Sequence, residues 1–64
     1  MTPAEFREAR QKLGLDPLQM CAALGYSPRH ATITGFERQA VPAPVALLMR
    51  AFLTFGLPDD WPAV

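Results

Sequence analysis

Residues 16–38, DPLQMCAALGYSPRHATITGFER, constrain this chain more than any other stretch. They are punctuated as helix, tight turn, helix. Asp16 is a helix cap, and Pro17 fits a first turn, where a missing N–H is harmless. Gln19 completes an Asp-x-x-Gln capping box. Met20, Cys21 and Leu24 recur at helical spacing, and Gly25 is the residue type that ends helices in the left-handed conformation. Ser27-Pro28 reads as a second cap-plus-proline start. Ile33 and Phe36 then form the buried side of a second helix. Two short helices around a glycine turn make a helix-turn-helix arrangement.

With 64 residues the chain is one small domain, 1–64. A chain of this length buries only about 60% of its unfolded surface, so a partner subunit would add stability. Half the residues are apolar, enough for a compact core. The single cysteine makes no internal disulfide, which points to a reducing, cytoplasmic setting. No apolar run approaches the roughly 20 residues of a membrane span. The start, MTPAEFREAR, is charged from Glu5 onward and does not read as a signal peptide. The formal net charge is zero, with six basic and six acidic groups, which weighs against a nucleic-acid partner. Asp59 and Asp60 supply two of those acids, so residues 1–58 carry six basic and four acidic groups, a formal +2.

Elsewhere the chain is equally well punctuated. Thr2-Pro3-Ala4-Glu5 is a capping box opening a first helix that runs to Leu13. Phe6, Ala9 and Leu13 share its inner side, with Arg10 at the margin, and Gly14 ends it. The second helix covers 17–24. Tyr26, in the turn, is apolar enough to pin the two helices of the motif together. The third helix runs to Arg38, and either begins at Ser27-Pro28 or starts late, after a loop over 27–31. Thr32, Thr34 and Gly35 are poor helix formers for an exposed interior, Gly35 by roughly 1 kcal/mol against alanine, which suggests a helix selected for what it contacts. The last helix, 44–55, is apolar over much of its circumference. The stripe Val45–Leu48–Phe52–Phe55 faces the core. Leu47, Met49 and Leu53 lie off that stripe and, with Phe52, are the candidate homodimer interface. Trp61, in the DDWPAV tail, docks either on its own core or on a partner.

The order of these pieces resembles the lambda-repressor-like, or Cro-type, helix-turn-helix family of phage and bacterial regulators. The resemblance covers residues 2–55. It rests on FREARQKLGL, on Met20, Cys21 and Leu24 followed by LGYS, on ITGFER and on VPAPVALLMR, and the tail phrase LPDDWP is similar too. It implies an all-α, compact four- to five-helix domain whose second motif helix enters the DNA major groove. Three features depart from the family pattern. Pro17 stands where a phosphate-touching glutamine is usual. The run from Ser27 to Ile33 is two residues longer, so that either Ile33 and Phe36 or, without a gap, Ala31 and Thr34 fill the buried slots. The first choice is chemically better. The glycine usual after the third helix is replaced near Gln39 and Ala40.

The resemblance makes Arg29, His30, Thr32, Thr34 and Arg38 the candidate DNA-binding residues. Arg29 suits guanine, His30 a base or phosphate, the threonines a phosphate or thymine methyl, and Arg38 a phosphate. Arg7, Arg10 and Lys12 could graze the DNA backbone or simply be solvated. The implied function is a sequence-specific transcriptional regulator, a repressor that binds an inverted-repeat operator as a homodimer, its own operon among the targets. The implied partner is double-stranded DNA, with no small-molecule ligand, cofactor or metal. A lone histidine and an apolar-slot Cys21 make neither a metal site nor a nucleophile. Asp59 and Asp60 diverge as chain neighbours, and the chain is not expected to be an enzyme. The alternative from another class is an antitoxin-like or adaptor interaction module that uses helix 44–55 on a different protein.

Overall fold

The computed structural model describes residues 1–62, so the last two residues of the DDWPAV tail lie outside it. The described residues form four helices and no strand: α1 Pro3–Leu13, α2 Pro17–Ala23, α3 His30–Arg38 and α4 Ala43–Phe55. The body measures 30 × 24 × 19 Å. None of its helices is long and apolar enough to cross a membrane.

Local chemistry accounts for the first two helices. Each opens with a reciprocal box. The Glu5 N–H donates to Thr2 Oγ1 at 3.1 Å while the Thr2 N–H donates to Glu5 Oε1 at 2.8 Å. Gln19 and Asp16 exchange the same pair at 2.8 and 3.0 Å. The Thr2 backbone N–H, then its hydroxyl, hold the Glu5 carboxyl below the ordinary range. Each helix also closes the same way, on a glycine with positive φ, 71° at Gly14 and 85° at Gly25. The next N–H reaches back across the turn, Leu15 to the Arg10 carbonyl and Tyr26 to the Cys21 carbonyl. At the end of α2 all four last carbonyls find donors. Leu24, Tyr26 and Gly25 serve Met20, Cys21 and Ala22, and Trp61 Nε1–H serves Ala23 at 2.7 Å. The tail therefore docks Trp61 on the chain's own second helix.

The core gathers Phe6 and Ala9 from α1, Met20, Cys21 and Ala23 from α2, Ile33 from α3, and Val45, Met49 and Phe52 from α4. Phe36 sets its ring edge against Phe6, with centroids 5.6 Å apart, and lies 5.9 Å from Tyr26, so Tyr26 does pin the connection. Helices α1 and α3 pack on each other, α4 packs on α1, and α2 packs on α3.

Two expectations are corrected. Ser27-Pro28 does not start α3. The helix begins at His30, with Arg29 in extended backbone before it and no side-chain cap. The six residues 24–29 connect the helices, longer than the three or four of a tight helix-turn-helix. Tyr26 packed on Phe36, and the Cys21 thiol donating to the Ser27 carbonyl at 3.1 Å, hold this segment open. On α4 the expected core stripe holds at Val45, Leu48 and Phe52 and fails at Phe55, while Met49 joins the core. Met49 is fully buried and Phe52 nearly so, and neither has surface to offer a partner. Phe55, expected in the core, is 85% exposed. Helix α4 packs on α1, and Phe55 is the last residue of the helix, followed at once by Gly56. Of the expected interface, Leu47 and Leu53 remain exposed.

Candidate functional site

Three inward anchors fix the rotation of α3. Ile33 is fully buried, Phe36 meets Phe6 and Tyr26, and Glu37 accepts a hydrogen bond from Arg10 Nη2 at 3.1 Å. Both partners of that ion pair are mostly buried, 15% and 14% exposed at their side chains. Arg10 Nη1 also donates to the Leu15 carbonyl at 3.0 Å, which ties the connection after α1 to the same pair. Arg10, at the margin of the inner side of α1 as expected, is thus a structural strut. The only acid on α3 is turned inward and neutralised.

The opposite face follows from that rotation. His30, Thr34 and Arg38 recur every four residues and are all exposed, with exposed Ala31 beside them. On a helix these four positions fall within roughly 100° of arc. The stripe carries a guanidinium, an imidazole and a hydroxyl and no carboxylate. It continues onto α1. Arg7, Thr34 and Arg38 surround a notch of about 240 Å3 whose floor is the Arg10–Glu37 pair.

The expected site residues therefore divide. His30, Thr34 and Arg38 share one face. Arg29 is exposed but precedes the helix, at its extended N-terminal edge. Thr32 is half-buried on the far side from the stripe, next to Phe36, and does not join it. Arg7 does join it, although its sequence position on α1 reads equally well as a solvated face. Its signal is the Phe6–Ala9 spacing, which turns position 7 outward. Ile33 and Phe36, not Ala31 and Thr34, fill the buried slots, so the longer run of residues is taken up in the connection before α3.

Gly35 lies at the edge of the stripe with no positive φ, and nothing lies within 4 Å of where a Cβ would be. Internal packing gives no reason for glycine there. Gly35→Ala is expected to stabilise the domain by about 0.5–1 kcal/mol, as helix propensity dictates. If α3 lies against a ligand at close range, the same variant binds that ligand more weakly. A thermal melt read beside a DNA-binding titration checks both halves.

Cys21 is buried beneath Ser27. Among the described residues no three His, Cys, Asp or Glu side chains come together as a metal site would require. Compared with protein-family models, with curated proteins and with solved structures, the chain matches none.

Proposed function

We propose that this chain is a sequence-specific DNA-binding regulator, built as a lambda-repressor-like helix-turn-helix domain and acting as a homodimer. One observation carries the reading: α3 presents His30, Thr34 and Arg38 outward on one face, while its lone acid, Glu37, at the floor of the notch beside them, is bridged to Arg10. A helix meant to lie against phosphates must not offer them a carboxylate. Arg7 and Arg38, flanking the notch, suit backbone phosphates, which set position and give salt dependence. His30 and Thr34 suit base edges, and Arg29 a phosphate or base near the start of α3. The packing of α2 on α3 is the support such a helix needs.

The mechanism is occupancy. Two α3 helices, related by a dimer axis, enter successive major grooves about 34 Å apart on an inverted repeat. Two touching bodies of 30 × 24 × 19 Å are of the size to span that distance. Binding over a promoter blocks transcription, and protein concentration sets the response through dimerisation.

The exposed Leu47 and Phe55 of α4 favour a second reading, an interaction module that docks on another protein. A gel-shift titration with DNA from upstream of the chain's own gene, at two salt concentrations, separates the two. The regulator predicts a discrete complex that salt weakens and that survives excess nonspecific DNA. No complex, or one that any DNA competes away equally, rejects it in favour of the module.

A further inference from the structure

We infer that segment 57–62, which follows α4, is a strap that controls the start of α3. With Trp61 docked on α2 the connection before α3 is held. With Trp61 released that connection opens while the rest of the fold stays packed. The strap stands on the contacts below, and only its effect on DNA rests on the reading above.

Three contacts build the strap. Leu57 packs against the core. The Trp61 backbone N–H donates to the Pro58 carbonyl at 3.0 Å, which folds 58–61 into a turn with Asp59 and Asp60 exposed at its tip. Trp61 Nε1–H then donates to the Ala23 carbonyl at 2.7 Å, so the chain leaving α4 is tied to the end of α2. Trp61 is 39% exposed and lies outside the fully buried core. Its docking is therefore a surface contact, of the kind that opens without unfolding the whole domain.

What Trp61 holds is short. Helix α2 has seven residues, about two turns, and packs on α3. Asp16 and Gln19 close its first turn. Its last turn depends on groups beyond it, and Cys21 in that turn carries two anchors of the connection. The Tyr26 N–H donates to the Cys21 carbonyl at 3.1 Å, and the Cys21 thiol donates to the Ser27 carbonyl at 3.1 Å. Beyond these anchors Pro28 and Arg29 are exposed, and α3 has no side-chain cap to fix where it begins. Fraying of the last turn of α2 therefore releases Tyr26 and Ser27 together, and with them Arg29 and His30. The route from the strap to the candidate site is contiguous: Trp61, Ala23, Cys21, the connection, then α3.

Trp61 is the only tryptophan, so its fluorescence reads the strap alone. In a urea titration of the whole chain without DNA, that fluorescence is expected to change at lower urea than the helical circular dichroism signal, as a local opening requires. Amide exchange then locates the opening. Trp61→Ala is expected to speed exchange about tenfold or more at Leu24, Gly25 and Tyr26, whose N–H groups close α2, and to leave Gly14, which closes α1 in the same way, unchanged. Coincident fluorescence and circular dichroism transitions overturn the proposal, and so does exchange raised equally at Gly14 and Gly25, because Trp61 is then part of one all-or-none fold. If the start of α3 is ordered only about a tenth of the time, DNA binds about tenfold more weakly. A Trp61→Ala variant that opens at Gly25 yet binds DNA as tightly as the parent overturns the control of α3. Failure of parent and variant alike to bind any DNA rejects the regulator and leaves the strap to be judged by exchange.

Discussion

Replacing Glu37 with alanine is expected to lower the melting temperature by roughly 12–24 °C. The variant takes the only carboxylate from the Arg10 guanidinium, whose side chain is only 15% exposed and which is left with the Leu15 carbonyl alone. Removing one partner of a buried ion pair costs about 3 kcal/mol or more, and each kcal/mol moves the melting point of a domain this size by about 4–8 °C. Small single cores rarely hold more than about 3–5 kcal/mol in total, so the variant is expected to be largely unfolded at room temperature. Arg10 is already under-served, because its Nε is buried without a partner. The pair also does more than join two side chains. It connects α1 to α3 and, through the Leu15 carbonyl, to the approach to α2. The apolar double variant Arg10→Met, Glu37→Leu is expected to recover most of the stability, since no charge is then left stranded. Circular dichroism melts of the parent and the two variants decide it. A Glu37→Ala melt within a few degrees of the parent would show that solvent already carries the charge of Arg10.

The double variant Arg7→Ala, Arg38→Ala is expected to fold normally and to bind DNA on the order of 10- to 100-fold more weakly, about equally on every sequence. Both side chains are exposed and flank one notch, and the ion pair at its floor does not involve them. Removing the cation from one phosphate makes the plot of log affinity against log salt shallower by about one, so with two copies on one operator the slope should fall by roughly four. His30→Ala and Thr34→Ala are expected to behave differently. They should change which base pairs are preferred, by about 1–3 kcal/mol at a single position, with the salt slope kept. If the double variant leaves the slope unchanged, the notch does not face the DNA backbone. If it instead relaxes preference at one base pair, Arg38 reads a base and not a phosphate.

The candidate site is legible in the sequence in part. His30, Thr34 and Arg38 can be named from it because helical periodicity turns them away from Ile33 and Phe36. Residue type groups Thr32 with them, yet one residue of helix is about 100° of rotation, and position 32 falls beside Phe36. Arg7 needs α1 packed against α3 before its side chain becomes part of the same surface. The start of α3 misleads for a related reason. Ser27-Pro28 has the local chemistry of a cap, but Tyr26 on Phe36 and the thiol of Cys21 on the Ser27 carbonyl hold that segment outside the helix.

By itself the sequence determined where the first two helices start and stop, because the groups involved are chain neighbours. Thr2 with Glu5 and Asp16 with Gln19 cap within one turn, and Gly14 and Gly25 take a positive φ that other residues resist. It also determined that each of the four elements is helical. The tertiary structure alone decided what depends on distant partners. Arg10 meets Glu37 across 27 residues, and Trp61 reaches the Ala23 carbonyl across 38. Most of all, it chose between the overlapping apolar stripes of α4. Val45, Leu48, Phe52 and Phe55, or Val45, Met49 and Phe52, satisfy the helical period about equally well. Packing in the shared core brings in Met49, keeps Leu48 half-buried and leaves Phe55 outside.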